Sequence, residues 1–330
     1  MNVISQTIYD YWHRGRVKNS PNGWTSGNAV CCEHRGEKPD KRGRGGFKFE
    51  LDGSLVYHCF NCNYSANYRV GKPIYPKLEK LLLWLGLDSK TINQLKLEAI
   101  RSSQNGTVSP AIQKLREIKP VELPEVFLLR DNASAFPNHA KFIESRGFAV
   151  DRFPFLTSNH PTFRSRVLIP FIRQNIIVGY SARSINPTEK TRYLMRSTTD
   201  FVFGMDFVEP EHQWVIVTEG IFDALSIRGL GVMHNEISDT QAEMIHDLKN
   251  RIIVVPDLDY AGLKSSPNSL INTALDYDWD VAFPSWNVKD INAAFLKYGP
   301  LATVQHILKN TTSDKITIRV KQKLLSARNK

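Results

Sequence analysis

The sequence predicts an α/β protein: a small β-rich module that contains the cysteines, then a helical linker, then an α+β region that ends in a parallel sheet. Three observations predict this organisation. All four cysteines fall between positions 31 and 62. A helical pattern begins at about Tyr75, with apolar residues three and four apart. Beyond residue 124, short apolar runs alternate with helix-like segments, which is typical of parallel strands with crossover helices.

Composition favours an acidic polymer as partner. The 330 residues include 43 Lys and Arg against 33 Asp and Glu, a formal net charge of +10, and 42% are hydrophobic, enough for a buried core. The sequence contains no run of about 20 apolar residues, and its start lacks the apolar stretch of a signal peptide. We therefore expect no membrane association and a reducing cytoplasmic location.

The first element is a metal-binding module. Cys31 and His34 are separated by two residues, as are Cys59 and Cys62, and this spacing of two knuckles is typical of a zinc ribbon. Cys32 could replace Cys31 or stand as a free neighbour. We expect one structural Zn²⁺ on Cys31, His34, Cys59 and Cys62.

Basic and aromatic residues surround these ligands. They are Arg14, Arg16, Lys18, Lys41, Arg42, Arg44 and Lys48, with Tyr11, Trp12, Trp24, Phe47, Phe49, Tyr57 and Phe60 between them. Cations and rings together suit single-stranded nucleic acid, because cations meet phosphates while unpaired bases stack on rings. The alternative is that the rings fill the module's own core. We favour nucleic-acid binding for the face as a whole.

Two short helices and a linker follow the ribbon. The runs LEKLLLWLGL and TINQLKLEAI have helical periodicity, and Asp88 and Ser89 between them can break or cap a helix. The stretch from residue 101 to 124 is polar and rich in turn residues and then in Lys, Pro and Glu. We place a domain boundary in this stretch.

Carboxylates end two predicted buried strands. WVIVT (214–218) leads to Glu219, and RIIVV (251–255) leads to Asp257 and Asp259. Because the carboxyl ends of parallel strands meet at one edge of a sheet, these acids should converge. Clustered carboxylates need a cation, and oxygen ligands favour Mg²⁺ or Mn²⁺. The chemistry indicated is phosphoryl or nucleotidyl transfer.

The motifs resemble one family. E-G-x-x-D-A-L at Glu219–Leu225, followed by D-x-D at Asp257–Asp259, resembles the TOPRIM signature of DnaG-type primases, topoisomerases, some nucleases and RecR-type recombination proteins. CCEH followed by YHCFNCNYSA resembles the ribbon that opens DnaG-type primases, and RSRVLIPFI, GYSAR and RYL resemble their basic subdomain. The segment WNVKDINAAFLKYG makes the chain most similar to the stand-alone primases of T-even-type phages.

The resemblance implies five regions. They are a zinc-ribbon DNA-binding domain (1–74), a helical segment and linker (75–124), a basic subdomain (125–210), a Rossmann-like TOPRIM subdomain (211–300) and a basic C-terminal segment (301–330). It also implies the activity: template-directed synthesis of short RNA primers on single-stranded DNA from ribonucleoside triphosphates.

The resemblance assigns roles to the acids. Glu219 would be essential for catalysis, Asp257 and Asp259 would hold one to three Mg²⁺ or Mn²⁺ ions, and Asp290 would be a further ligand. Two alanines follow where the phage pattern tends to have another acid, so the number of metals stays open. Asp223 would cap its helix or support Glu219.

Cations near these acids would hold triphosphates or template phosphates. They are Arg164, Arg166, Arg183, Arg192 and Lys289. For each arginine a surface or structural role is the alternative, and Lys289 could simply pair with Asp290.

The implied partners are a single-stranded DNA template, ribonucleoside triphosphates and single-strand DNA-binding protein. No G-x-x-x-x-G-K-[ST] loop occurs in the sequence, so we expect a separate replicative helicase. For a phage protein the location would be the host cytoplasm. Two alternatives stay open: a TOPRIM nuclease, and a non-catalytic RecR-like mediator that binds single-stranded DNA.

Overall fold

The computed structural model describes residues 1–104, 119–197, 200–234, 236–257 and 269–328. The chain divides into two compact units, Met1–Glu117 with Asn272–Asp278, and Ile118–Ile271 with Trp279–Lys330. Within the described residues, three five-stranded sheets and the helices that connect their strands confirm the predicted mixed α/β class. Within the described residues, none of the helices combines the length and apolar character that a membrane span needs. The five-region division stays a prediction.

The first unit is built on an antiparallel sheet whose strands pair in chain order. Its strands are β1 (Lys18–Asn19), β2 (Trp24–Gly27), β3 (Gly45–Phe49), β4 (Leu55–Cys59) and β5 (Ser65–Tyr68). Alternation along β4 buries Leu55, Tyr57 and Cys59 on one face. The buried aromatics Phe47, Tyr57 and Trp12 pack together, so these predicted candidates for base stacking fill the core of the unit.

Three helices cover this sheet: α1 (Val3–Trp12), α2 (Pro76–Trp84) and α3 (Ser89–Gln104). Asn2 and Ser5 form a capping box that begins α1. The two helices predicted after Tyr75 are confirmed as α2 and α3. The Asp88 carboxylate accepts from the Thr91 N–H at 2.9 Å, which satisfies a free donor in the first turn of α3.

The second unit begins with another antiparallel sheet. It contains β6 (Phe127–Leu128), β7 (Leu156–Thr157), β8 (Arg166–Arg173), β9 (Ile176–Ser184) and β10 (Tyr193–Ser197), with helices α4 (Leu129–Asn132) and α5 (Pro137–Ser145). β8 and β9 form a hairpin through Gln174 and Asn175, both at positive φ. A two-residue turn of this kind matches the twist of the strands it joins.

The third sheet carries the predicted parallel strands. In spatial order it contains β12 (Leu230–Gly231), β11 (Trp214–Thr218), β13 (Arg251–Val255), β14 (Asp280–Ala282) and β15 (Thr311–Thr312). β11 pairs in parallel with β13, and Thr218 lies opposite Val255. Both strands are nearly continuous apolar runs because helices cover the faces of a parallel sheet.

Helices follow most of these strands. They are α6 (Ile221–Ile227), α7 (Asp239–His246), α8 (Leu270–Tyr277), α9 (Ile291–Tyr298), α10 (Pro300–Lys309) and α11 (Lys315–Arg328). Most of α8 falls in the segment that groups with the first unit. The helix predicted after Glu219 is confirmed as α6.

Candidate functional sites

Four sulfur atoms meet in the first unit. Cys31, Cys32, Cys59 and Cys62 are all buried, and their sulfurs lie within 4.8 Å of one another. The Sγ atoms of Cys31 and Cys62 are 3.4 Å apart, and those of Cys32 and Cys59 are 3.6 Å apart. This is the closed, four-sulfur arrangement of a structural zinc site.

The ligand set expected from the sequence needs one correction. Cys32 takes the position that we assigned to His34. A short 3-10 turn begins at Glu33 and carries the His34 side chain out to an exposed position. There the imidazole stacks on Trp84, with ring centroids 4.7 Å apart and planes 7° from parallel. Adjacent cysteines can therefore both reach one centre, which the spacing argument did not anticipate.

The chemistry of the sulfurs fits a metal. Hydrogen bonds to Cys59 and Cys62, together with burial, raise the pKa of the Cys31 thiol, whereas hydrogen bonds from Cys31 and Cys62 lower the pKa of Cys59. Without a cation the cluster thus cannot ionise as a whole. Asn61 donates to the sulfurs of Cys59 and Cys32, at 3.4 and 3.3 Å, which orients thiolate ligands. A bound Zn²⁺ would let all four cysteines lose their protons.

The acids of the second unit lie at one edge of its parallel sheet. Glu219 follows the last residue of β11, and Asp257 lies two residues beyond the end of β13. The Asp257 N–H donates to Glu219 Oε1 at 3.2 Å. Glu219 is only 6% exposed, so its charge needs a cation or a donor nearby. Asp259 lies outside the described residues.

A cavity of about 640 Å³ opens at this edge, and we call it the charged cavity. Its charged lining residues are Glu219, Asp223, Asp257, Asp290, Arg146, Arg183, Arg192 and Lys289. Three of the predicted cations and three of the predicted acids therefore share one space. Among the described residues, however, only the four cysteines form a group of three or more potential metal ligands within 4.8 Å. The acids fit Mg²⁺, which keeps waters and takes phosphate oxygens besides one or two carboxylates.

Two predicted arginines do not belong to the charged cavity. Arg166 is 7% exposed and donates to the carbonyl oxygens of Thr191, Arg192 and Ala182, at 2.9, 3.4 and 3.3 Å. Its guanidinium is thus occupied in holding β9 to the segment that leads into β10. Arg164 is exposed at a turn outside this lining. The expectation that these two arginines line the mouth of the acidic crevice is corrected.

Arg183 is the most enclosed of the three predicted cations that line the charged cavity. Its guanidinium lies 4.5 Å from the centre of the Tyr193 ring, a cation–π contact. Burial lowers its pKa, although an arginine keeps its charge at neutral pH. Arg192 and Lys289 are exposed, and Lys289 Nζ lies 3.3 Å from Asp290 Oδ2. Asp290 also begins α9, because its Oδ1 accepts from the Ala293 N–H at 2.7 Å.

A polar network that includes three lining residues of the charged cavity was not predicted as a whole. Asp223 accepts from the Asn292 N–H at 2.8 Å, and burial with the nearby Asp290 charge raises the pKa of Asp223 to about 6. The Asn292 amide donates to Ser226 Oγ and to the Arg146 carbonyl, both at 3.0 Å. The only signal in the sequence was that Asn292 closes the K-D-I-N segment. These contacts join Asp223 to Asn292, and the expected role of Asp223 as a helix cap or a support for Glu219 stays a prediction.

The chain is similar in sequence to a known protein. No family model matches the chain. A curated protein from Thermotoga maritima, described as a DNA primase, is 29% identical over 168 residues, 46% of this chain. The chain is similar in sequence to a DNA primase. The match spans 29% of the Thermotoga primase, so most of that primase has no counterpart in the alignment.

Three solved primase structures are also similar. The zinc-binding and RNA polymerase domains of the Aquifex aeolicus primase give a TM-score of 0.43 at 13% identity, covering 94% of this chain and 83% of that one. A DnaG catalytic core gives 0.43 at 16%, covering 55% and 78%. The primase fragment of the bacteriophage T7 primase-helicase gives 0.36 at 15%, covering 51% and 72%. With TM-scores below 0.5, these likenesses add no independent support for a function. The expected homology to DnaG-type primases agrees with the sequence match, and the closer likeness to T-even-type phages stays a prediction.

Proposed function

We propose that this protein is a DNA primase, which joins ribonucleoside triphosphates into short RNA primers on single-stranded DNA. The observation that carries the proposal is the charged cavity, where acids from the ends of two parallel strands face three arginines and a lysine. Carboxylates that can hold divalent ions beside cations that can hold triphosphates are what nucleotidyl transfer needs. The sequence similarity to a DNA primase supports the same function.

Different side chains would bind the metal ions and the triphosphate. Glu219 and Asp257, with Asp259 and Asp290, would hold one to three Mg²⁺ or Mn²⁺ ions. Bound there, the ions would neutralise phosphate charge and lower the pKa of the attacking 3′-hydroxyl. Arg183 and Arg192 would hold the triphosphate through guanidinium forks, and Lys289 would exchange Asp290 for a phosphate oxygen. The cations of the charged cavity would stabilise the charge of the leaving pyrophosphate.

The first unit would hold the template. Its four-cysteine zinc site would keep the β4–β5 region folded, while exposed groups such as Phe60, 71% exposed, and Arg42 meet the strand. A replicative helicase on a separate chain would supply unwound DNA, and single-strand DNA-binding protein would coat the template. The reaction would take place in the cytoplasm, that of the host if the source is a phage.

Primer synthesis on a mixed-sequence single-stranded template tests the proposal. Labelled ribonucleotides and Mg²⁺ are supplied, with and without helicase, to the wild type, to Asp257→Asn and to the control Asp151→Asn. Asp151 is an exposed carboxylate outside the charged cavity. We expect short RNA from the wild type and the control, and a loss of at least 100-fold in Asp257→Asn.

Other outcomes would contradict the proposal. Cleavage of DNA by the wild type without nucleotides, lost in Asp257→Asn, would indicate a nuclease. Tight binding of single-stranded DNA with no RNA under any condition would indicate a mediator.

A further inference from the structure

A second cavity adjoins the charged one. It also measures about 640 Å³, and the two cavities share Met195, Met233 and His234 in their linings. Its other walls include Phe171, Phe201, Val232 and Ile237, so we call it the apolar cavity. Phe171 and Phe201 stack at 4.8 Å with planes 12° apart, which makes one wall flat and hydrophobic.

The boundary between the two cavities is rigidly built. Met233 has a φ of +67°, a conformation that a residue with a long side chain rarely adopts. Its N–H donates to the Glu219 carbonyl oxygen at 3.0 Å, so the boundary is tied to a predicted catalytic residue. A Cβ on Gly231 would overlap the methyl of Met233, so glycine there makes room for that side chain. Strained residues that their surroundings hold in place are common at ligand sites.

The next residues are held in the same way. Gln241 donates its amide to the carbonyl oxygens of Val232 and Phe201, at 3.1 and 2.8 Å, and so joins two walls of the apolar cavity. Gln241 is itself positioned by the capping box of α7, because its Oε1 accepts from the Ser238 N–H. The cavity therefore exists before any ligand binds, which lowers the cost of binding.

The two cavities differ in charge. The charged cavity offers Arg183, Arg192 and Lys289 to an anion. Among the described residues, the lining of the apolar cavity includes the carboxylates of Asp200 and Glu236 and no arginine or lysine. Phosphates are therefore directed to one side and excluded from the other. A ligand that fits both must have an anionic end and a flat, weakly polar end.

We propose that the apolar cavity takes the nucleobase of a ribonucleoside triphosphate whose phosphates lie in the charged cavity. The proposal rests on the proposed function and assigns a base subsite to the same site. The thioethers of Met195 and Met233 present soft, polarisable surfaces, which interact favourably with aromatic rings. Contact with a thioether does not depend on the pattern of donors and acceptors, so the subsite would accept purines and pyrimidines alike.

Binding of two ligands to three proteins tests the subsite. Isothermal titration with Mg²⁺ compares a ribonucleoside triphosphate with inorganic triphosphate, which lacks the base. The proteins are the wild type, Met195→Ala and the control Met205→Ala. Met195 lies 43% exposed on the edge strand β10, so its loss should leave the fold intact, and Met205 lines neither cavity.

We expect Met195→Ala to weaken nucleotide binding about five- to tenfold and inorganic triphosphate binding less than twofold. Met233→Gly, which suits the positive φ, should behave in the same way. Equal losses for both ligands, or no loss for the nucleotide, would overturn the base subsite. A loss confined to single-stranded DNA binding would also overturn it and assign the cavity to a template base.

Failure of the proposed primase function can be distinguished from failure of the base subsite. If the wild type bound nucleotide and triphosphate but made no RNA, the primase proposal would fail while the subsite stood. If it made RNA but bound both ligands with equal affinity, the subsite would fail while the primase proposal stood.

Discussion

Replacing Cys32 by serine, and separately His34 by alanine, distinguishes the four-cysteine zinc site from the site predicted by spacing. Cys32 Sγ is fully buried 3.6 Å from Cys59 Sγ and accepts from the Asn61 amide at 3.3 Å. His34 is exposed and contacts Trp84. The structure therefore predicts that only Cys32→Ser damages zinc binding.

The magnitudes differ enough to measure. Loss of a residue that only orients a ligand typically costs 10- to 100-fold in metal affinity, so loss of a ligand itself should exceed about 100-fold. That factor corresponds to roughly 3 kcal/mol, which appears as lost stability because zinc binding and folding are coupled. His34→Ala removes one stacked ring pair, worth about 1 kcal/mol, and leaves the sulfurs in place.

Zinc affinity is measured by competition with a chromogenic chelator, and zinc content by atomic emission. Urea unfolding of the full chain, followed by tryptophan fluorescence with and without a zinc chelator, reports the stability that zinc contributes. Cys32→Ser should release zinc at lower chelator concentration, and His34→Ala should retain one zinc per chain. Loss of the metal from His34→Ala, with the metal retained in Cys32→Ser, would contradict the four-cysteine site.

Three further predictions concern the second unit, the last with a control glycine in the first unit. Arg166→Met should lower the free energy of unfolding by about 2–3 kcal/mol, because three carbonyls lose a charged donor. It should leave triphosphate affinity unchanged, whereas Arg183→Met should weaken triphosphate affinity about tenfold. Equal losses of triphosphate affinity in titration calorimetry would contradict these separate roles. Because the pKa of Asp223 is raised to about 6, its contribution to the stability of the metal-free protein should fall as pH rises from about 4 to 6. Asp223→Asn should remove that decline and gain about 1–2 kcal/mol at pH 7 in urea titrations, and a loss of stability at pH 7 would count against it. Gly204→Ala should lower the free energy of unfolding by about 2–4 kcal/mol, since φ is +85° and a Cβ would overlap a backbone carbonyl oxygen. Gly36→Ala, at a φ of +80° in open space, should lower it by only about 1 kcal/mol. Similar losses of stability in both variants would contradict the overlap at Gly204.

Local patterns predicted the elements well. The runs 214–218 and 251–255 are the central parallel strands, and the apolar periodicity after Tyr75 gives two helices. These predictions succeed because a strand buried on both faces, or a helix buried on one face, has a characteristic spacing of apolar residues. The positions of Glu219 and Asp257 follow from the same pattern, since parallel strands deliver their ends to one edge.

Side-chain direction could not be predicted in the same way. Spacing predicted His34 as a ligand and Cys32 only as a replacement for Cys31, whereas a single 3-10 turn leaves Cys32 in the sulfur cluster and His34 outside it. Arg166 and Arg183 stand in paired strands with the same basic character, yet one guanidinium is occupied by backbone carbonyls and the other borders the charged cavity. The direction of a long side chain depends on contacts from residues distant in the chain, which a local pattern does not contain.

Composition and short-range spacing were enough to predict the α/β class, the cysteine module, the order of the parallel strands along the chain and the acids that follow them. Three features could not be predicted in this way: Cys32 joins the sulfur cluster, Asn292 connects Arg146 with Asp223, and an apolar cavity adjoins the charged one. Each of these features arises where segments far apart in sequence pack against one another. The free energy of that packing depends on the whole fold and not on a local pattern.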